Sequence, residues 1–401
     1  MGSDTHGAAS GAPWRSRTVQ VVLASTALAP LGVPLISPAL PVFRDTLGIS
    51  EAQASLLVSG YFVVGIVVSP FLGVLADRVG RKRVLVSGLL TFGLLGGAMA
   101  FAPSFEAVLA LRVVQGTGAA AIFITTVTII GDTFTGVQRN TVLGLNVAVL
   151  SAAAALFPVL GGALVTVRWT APFLAYFVAV PVALGAFVAM DEPTRSTPDR
   201  GLEYLRDALG VVARPAIVAL FTATFLTEFL FFGVVFTAMP FLLARTLSPV
   251  AVGVALLVAE SAAMLAAAAN GRLARRVSNL RLVAVGFACY GVGFLAAWLG
   301  PGPTYDAASL AVVGTGVGLL LPSVDAELSD HVPAAYRAGA FSLRNSTTFT
   351  GRAAGPITFV GLAVTAGYGY DALLLAAGVV ALVAATVAAL APGTLDPAPR
   401  V

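Results

Sequence analysis

Charge is what this sequence has least of. Of its 401 residues only 10% are Asp, Glu, Lys or Arg while 58% are hydrophobic, and a water-soluble domain normally carries about 25% charged residues. That shortage excludes an ordinary soluble fold with a polar coat. There is one lysine, Lys82, one cysteine, Cys289, and two histidines, His6 and His331. A lone cysteine rules out an intramolecular disulfide and leaves zinc or redox chemistry without a ligand set. No G-x-x-x-x-G-K-[ST] loop is present, which excludes ATP-driven work by this chain alone. Without a G-x-S-x-G segment or a cluster of histidines, a membrane enzyme has no catalytic residues to draw on.

What the chain has instead is long apolar runs. A helix of about 20 apolar residues spans the hydrocarbon core, and twelve such runs are delimited by Gly, Pro and charge. They cover about 18–43, 53–75, 83–101, 105–129, 140–165, 171–190, 215–244, 249–270, 280–299, 306–327, 337–362 and 369–391. Strands of a membrane barrel alternate apolar and polar residues, whereas these runs are apolar on all faces. The first run follows a polar tail bearing Arg15 and Arg17 and reads as a retained helix rather than a signal peptide. The fold class predicted is therefore an all-α polytopic membrane protein with twelve transmembrane helices.

Its basic residues are unevenly shared among the loops. Alternate loops place 17 of the 23 on one side: Arg15 and Arg17; Arg78, Arg81, Lys82 and Arg83; Arg139; Arg195, Arg200, Arg206 and Arg214; Arg272, Arg275, Arg276 and Arg281; Arg337; and Arg400. Arg44, Arg168 and Arg245 fall on the other side, and Arg112, Arg344 and Arg352 lie inside runs. The positive-inside rule puts the richer side, with both termini, in the cytoplasm of a plasma-membrane protein. Because the basic residues are spread over loops on one face of a membrane, a pI near 9.5 does not indicate nucleic acid.

The second half echoes the first at an offset of 198 residues. Gly73, Leu75, Ala76, Arg78 and Val79 recur as Gly271, Leu273, Ala274, Arg276 and Val277; Gly116, Thr117 and Gly118 as Gly314, Thr315 and Gly316; Asp132 and Arg139 as Asp330 and Arg337; Pro158 as Pro356. One register held across several helices and loops implies a duplication. The domains predicted are an N-terminal tail 1–17, a six-helix bundle 18–190, a polar linker 191–214, a second bundle 215–391 and a tail 392–401. Parallel repeats of this kind characterise a large class of secondary transporters, with substrate held between the halves near the midplane.

At this point particular motifs resemble a family. GVLADRVGRKRVL (73–85) is similar to the G-x-L-x-D-R-x-G-R-K/R-x-x-L signature between helices 2 and 3 of the major facilitator superfamily. LRVVQGTGAA in the fourth run is similar to a second signature through Arg112, Gln115, Gly116 and Gly118, and PLISPALPVF in the first run resembles the proline-containing first helix of the drug and proton antiporter branch. The antiporter motif G-x-x-x-G-P-x-x-G-G is matched in part, by Pro158, Gly161 and Gly162 with Phe157 at a glycine position, and by Gly351, Gly355 and Pro356 in the repeat copy. The resemblance implies two pseudo-symmetric six-helix bundles moving by alternating access. It also implies a gating latch of Gly73, Asp77, Arg78, Gly80, Arg81 and Asp132, with Asp77 meeting the positive end of a helix in the other half, and it links Arg112 to proton transfer.

Ionisable groups inside the runs are few, and each costs about 2.5–3.5 kcal/mol on insertion scales. Glu228 and Glu260 sit near the middles of the seventh and eighth runs, and Arg344 and Arg352 lie eight residues apart in the eleventh, on roughly one face. A carboxylate held away from water favours its neutral form. With Arg112, these four are the candidates for proton coupling; the glutamates also read as partners in helix-to-helix ion pairs. Phe225, Phe229, Phe232 and Phe236 form a helical stripe in the seventh run, facing either a substrate or lipid. Tyr61, Gln115, Asn146, Asn345 and Thr348 are the polar cavity candidates. Pro30, Pro34 and Pro38 remove backbone hydrogen bonds from one face of the first run and permit a bend. Gly116 with Gly118, Gly161 with Gly162, and Gly351 with Gly355 allow close helix approach.

These readings converge on a secondary transporter, an antiporter that exports lipophilic or cationic small molecules in exchange for protons, the behaviour behind multidrug resistance. Its partners are a small-molecule substrate, protons and the lipid bilayer, with no nucleic acid; it is a monomer, not an enzyme, and uses no cofactor or metal. Uptake or facilitated transport of a polar metabolite, a sugar or an organic anion, is the alternative.

Overall fold

The computed structural model describes residues 16–192, 209–300, 302–333 and 335–390. Arg15, Arg195, Arg200, Arg206 and Arg400, both tails and most of the 191–214 linker lie outside them. Among the described residues there is no strand, and twelve helical segments appear. The first, α1, is broken into Arg17–Leu28 and Leu40–Leu47, joined by two short 3-10 turns, Ala29–Leu31 and Ser37–Ala39. Then follow α2 Glu51–Val79, α3 Arg81–Phe101, α4 Phe105–Thr133, α5 Gly136–Val167 and α6 Ala171–Ala189. The second set is α7 Pro215–Leu243, α8 Pro249–Leu273, α9 Asn279–Leu299, α10 Pro303–His331, α11 Arg337–Val360 and α12 Gly369–Leu390. Ten of the twelve are long and apolar enough to cross a membrane. The exceptions are the proline-broken α1 and the α11 that carries Arg344, Asn345 and Arg352.

Local chemistry sets several of these boundaries. Ser50 and Gln53 form a reciprocal capping box at the start of α2, each side chain accepting the other's backbone N–H, at 3.1 and 2.9 Å. Gly80, at φ 110°, joins α2 to α3 with no intervening loop, a backbone conformation that a side chain would disfavour. Prolines 30, 34, 38 and 41 interrupt the hydrogen-bond ladder of α1.

The 198-residue offset is visible in the packing. Gly116 presses α4 against the Tyr61 carbonyl of α2, and Gly314 presses α10 against the Ala259 carbonyl of α8. A Cβ on Gly118 would come 2.6 Å from the Gly88 carbonyl, and one on Gly316 would come 2.6 Å from that of Gly286. Each contact maps onto its counterpart by adding 198 to both residues. In a lipid solvent helix association relies on such close backbone approach.

The two halves meet along α2 with α11 and α5 with α8, and they are sealed at one end only. Gly162 packs on Pro249 and Val250, and Gly253 packs reciprocally on Pro158 and Val159. Near that end the Tyr370 hydroxyl donates to Glu51 at 2.6 Å, and Arg44 sits over the Phe241 ring. At the opposite, arginine-rich end, residues 135–141 at the start of α5 and 271–276 at the end of α8 are exposed. A Cβ added to Gly73, Gly144 or Gly271 would meet no atom within 4 Å. The molecule is thus a V whose mouth is at the basic end.

Leucine at Gly116 or Gly314 should destabilise the protein to a similar extent, by about 1–3 kcal/mol, while Gly73→Ala should leave thermal unfolding in detergent unchanged. Unequal losses at the two repeat positions would contradict the shared packing.

Candidate functional site

Where the halves meet above the mouth lies a cavity of about 270 Å³ lined by α1, α2, α4, α5, α7, α8, α10 and α11. Its walls are largely aromatic and aliphatic, with Phe62, Phe231, Phe232, Phe236 and Phe349 prominent; its charged groups are Glu228, Glu260 and Arg352. The repeat relation extends to these walls. Pro30, Phe62 and Ala154 line the N-terminal side at positions equivalent to Glu228, Glu260 and Arg352. One scaffold therefore presents an apolar copy of the site on one half and a charged copy on the other.

Glu228 is 1% exposed and holds Arg352 in a two-pronged salt bridge, Nε to Oε2 and Nη2 to Oε1, both 2.9 Å. Its position follows from the glycines of α11. Gly351 and Gly355 let that helix lie on the backbone of α7, where a Cβ would come 2.7 Å from the Phe225 carbonyl at one and 2.9 Å from Gly233 N at the other. The Arg352 guanidinium is also covered by the rings of Phe232, 4.7 Å from its centroid, and Phe62 at 5.6 Å, contacts favourable to a cation. Glu260, on the cavity wall, is within electrostatic reach of both members of the pair. Two carboxylates against one guanidinium leave one negative charge to be balanced.

α7 departs from α-helical geometry here. Phe231–Ala238 forms a π-helical segment, a widening often found at functional positions. It aims Phe231, Phe232 and Phe236 into the cavity, and the Phe236 carbonyl accepts a hydrogen bond from Ser37 in the broken part of α1.

Arg112 is fully buried outside the cavity. It donates to the Leu57 carbonyl at 2.8 Å, to Gln115 Oε1 at 2.7 Å, to the Tyr176 hydroxyl at 3.0 Å and to the Gly32 carbonyl, and it stacks over Tyr61 at 4.4 Å. Tyr176 donates to the Leu31 carbonyl at 2.9 Å. These carbonyls lie at the proline break in α1, so Arg112 and Tyr176 satisfy backbone groups that the break sets free.

The other sequence-predicted residues are placed as follows. Tyr61 and Phe232 line the cavity; Gln115, Asn146, Phe225, Phe229, Asn345 and Thr348 do not. Gln115 is taken up by Arg112 and the Phe92 carbonyl, and Asn146 accepts from Thr26. Phe225 and Phe229 stack on each other, with Phe229 also against Phe359 of α11. Arg344 pairs with Asp325 of α10 at 3.0 Å rather than with either glutamate. Of the predicted latch, Asp77 pairs with Arg81 at 2.7 Å and Arg81 also pairs with Asp132. This cluster ties together the ends of α2, α3 and α4 within the N-terminal half; in this state Asp77 has its ion-pair partner there. Arg78 lines a surface cleft with Lys82, Arg83, Asp191 and Glu192.

Sequence reasoning overlooked Asp325, Tyr176, Phe349 and Ser37. Asp325 carried a usable signal, a carboxylate inside the tenth apolar run. The other three did not, because an aromatic or serine in a membrane helix is unremarkable until its neighbours are known.

Two six-helix bundles joined by a duplication, with a cavity between them open at one end, define a membrane transporter architecture. The chain belongs to the Major Facilitator Superfamily, whose family model matches residues 22–356. It is 28% identical over 349 residues to the bacillibactin exporter of Bacillus subtilis (strain 168), covering 83% of this chain and 86% of that one. To the quinolone resistance protein NorA of Staphylococcus aureus (strain MRSA252) it is 28% identical over 208 residues, about half of each chain, 50% and 53%. A bacterial homologue of the human lysosomal transporter Spinster, solved inward-facing and occupied, superposes with a TM-score of 0.78 over 97% of this chain and 100% of that one. At 18% identity that likeness shows the fold. The protein is thus a multi-pass membrane transporter with exporters among its relatives.

Removing one side of the buried pair leaves the other charge uncompensated. Glu228→Gln should lower stability in detergent by about 3 kcal/mol, and the double variant Glu228→Gln with Arg352→Gln should recover much of it. A double variant as unstable as the sum of its singles would show that the two act independently.

Proposed function

We propose that this protein exports lipophilic or cationic small molecules in exchange for protons, as a monomer in the plasma membrane, with both termini and the open basic end in the cytoplasm. The observation that carries this reading is the unbalanced charge in an aromatic cavity. A lone negative charge in a low-dielectric site is costly, so the site favours one compensating positive charge. A proton and a cationic substrate compete for that place, and their mutual exclusion couples entry of one to exit of the other. Glu260, lacking the two-pronged partner that holds Glu228, is the group on which this competition centres. The aromatic rings supply the surface for a lipophilic cation.

Arg112 is assigned to holding the broken α1 in place, because its acceptors are carbonyls, an amide and a hydroxyl. The Asp77, Arg81 and Asp132 cluster and the glycine-lined mouth are assigned to the closing movement that would face the cavity outward. Export activity is supported by the similarity to the bacillibactin exporter, and a polar metabolite is disfavoured by walls from which Gln115, Asn146, Asn345 and Thr348 are absent.

Proteoliposomes with an imposed pH gradient and a panel of lipophilic cations, sugars and organic anions test the proposal. Lipophilic cations should discharge the gradient and the other two classes should not. Glu260→Gln should abolish gradient-driven flux and weaken exchange of cations, because it removes the charge for which proton and cation compete. Unchanged driven flux in both Glu260→Gln and Glu228→Gln would remove the carboxylates from the coupling step.

A further inference from the structure

Asp325 and Arg344 form the second ion pair inside the C-terminal half, and nothing in the cavity chemistry uses it. Asp325 lies on α10 one helical turn beyond Pro322, which lines the cavity, and six residues before His331, which ends that helix at the basic side. Arg344 lies two turns from Arg352 on α11, also toward the basic end. The pair measures 3.0 Å between Arg344 Nη2 and Asp325 Oδ1; the guanidinium side chain is 12% exposed and the carboxylate 39%. Along α10, Asp325 thus stands between the cavity and the basic end, with its Oδ1 buried against Arg344 and the rest of the side chain part-exposed.

The groups around it are few. Arg344 faces it from α11, and Glu228 of α7 is near enough to act on it electrostatically. α8 contributes Asn270, which donates to the Leu319 carbonyl and to Ser323 Oγ at 3.1 and 2.9 Å. On its own helix the next titratable groups are Glu327, which receives a hydrogen bond from Asn279 of α9, then Asp330 and His331, whose ring nitrogen lies 3.6 Å from the Glu327 carboxylate. The equivalent residues of the N-terminal half are Val127 and Asn146, and Asn146 is bonded to Thr26. Among the described residues, charged groups on the C-terminal half run from Glu260 and Glu228–Arg352 through Asp325–Arg344 to Glu327–His331, whereas the ion cluster of the N-terminal half, Asp77, Arg81 and Asp132, is gathered at the basic end.

We propose that Asp325 is the proton-release station of the transporter. When substrate enters from the basic side, the proton leaving the cavity carboxylates passes through intervening water to the Asp325 carboxylate, which then lets go of Arg344. Asp325 passes that same proton to solvent at the mouth and recovers its ion pair, so no net charge remains at the station. Arg344, 3.0 Å from Asp325 Oδ1, stands ready to re-form the ion pair once the proton has gone. The inference rests on the proton-coupled reading above.

The test uses the full chain in proteoliposomes with tetraphenylphosphonium as the probe, comparing pH-gradient-driven uptake with probe exchange at equal pH. Because Asp325→Asn leaves Arg344 unpaired, the double variant Asp325→Asn with Arg344→Gln is measured beside it. Driven uptake should fall to the level of empty liposomes in both variants while exchange is retained, and Asp325→Glu should restore driven uptake with a displaced pH profile. Driven uptake that survives in the single variant, or returns in the double, overturns the assignment. Loss of exchange in the double variant also overturns it, since Asp325 would then be structural. Wild-type protein that exchanges the probe but ignores the gradient would sink the coupling reading itself, and the release station with it.

Discussion

A charge in a low-dielectric interior must be compensated, and the Glu228–Arg352 pair is where this molecule meets that demand most fully. Both oxygens of a buried carboxylate and two nitrogens of one guanidinium are engaged, a geometry that fixes the mutual orientation of α7 and α11 as well as their separation. Around it the other features fall into place. Glycines 351 and 355 bring the helices close enough to form the pair, Phe62 and Phe232 cover its cationic face, and the π-helical segment of α7 begins three residues after Glu228. The pair answers for one carboxylate; Glu260, on the same cavity wall, takes no part in it.

The two halves share a scaffold and divide the chemistry. Gly116 and Gly118 pack as Gly314 and Gly316 do, on partners at the same offset, because a helix crossing tolerates little change in backbone separation. Cavity-lining side chains are under no such geometric restraint, and there the copies differ: Pro30, Phe62 and Ala154 face Glu228, Glu260 and Arg352. The N-terminal half has its own buried cation, Arg112, which holds the Gly32 carbonyl at the proline break in α1 and the Leu57 carbonyl of α2. One half is thereby a shaped apolar wall with a pinned, interrupted helix, and the other carries the ionisable groups.

The seal at the Arg44 end and the exposed glycines at the basic end describe the state seen here. The seal uses backbone-to-backbone contact through Gly162 and Gly253 together with a few polar links such as Tyr370 to Glu51. At the mouth, Gly73, Gly144 and Gly271 meet nothing, which leaves room for an equally close approach there. Asp77, Arg81 and Asp132 brace the ends of three helices in one half.

Hydropathy and glycine spacing alone determined the number of spans, the doubling at 198 residues and the uneven sharing of basic residues, since each is a property of the chain read in order. The same reading located Glu228, Glu260, Arg344 and Arg352 as costly charges, because a charge in an apolar run stands out whatever surrounds it. It did not decide which of them meet. Arg344 and Arg352 share roughly one face of α11, yet one reaches α7 and the other α10. Gln115 and Asn146 are polar residues of apolar helices and look like cavity residues until Arg112 and Thr26 claim them. A helix that is apolar on every face carries no periodic signal of its rotation. Only the tertiary packing, which turns each helix about its axis and sets its depth against partners more than a hundred residues away, decides whether a side chain faces lipid, a neighbour or the cavity.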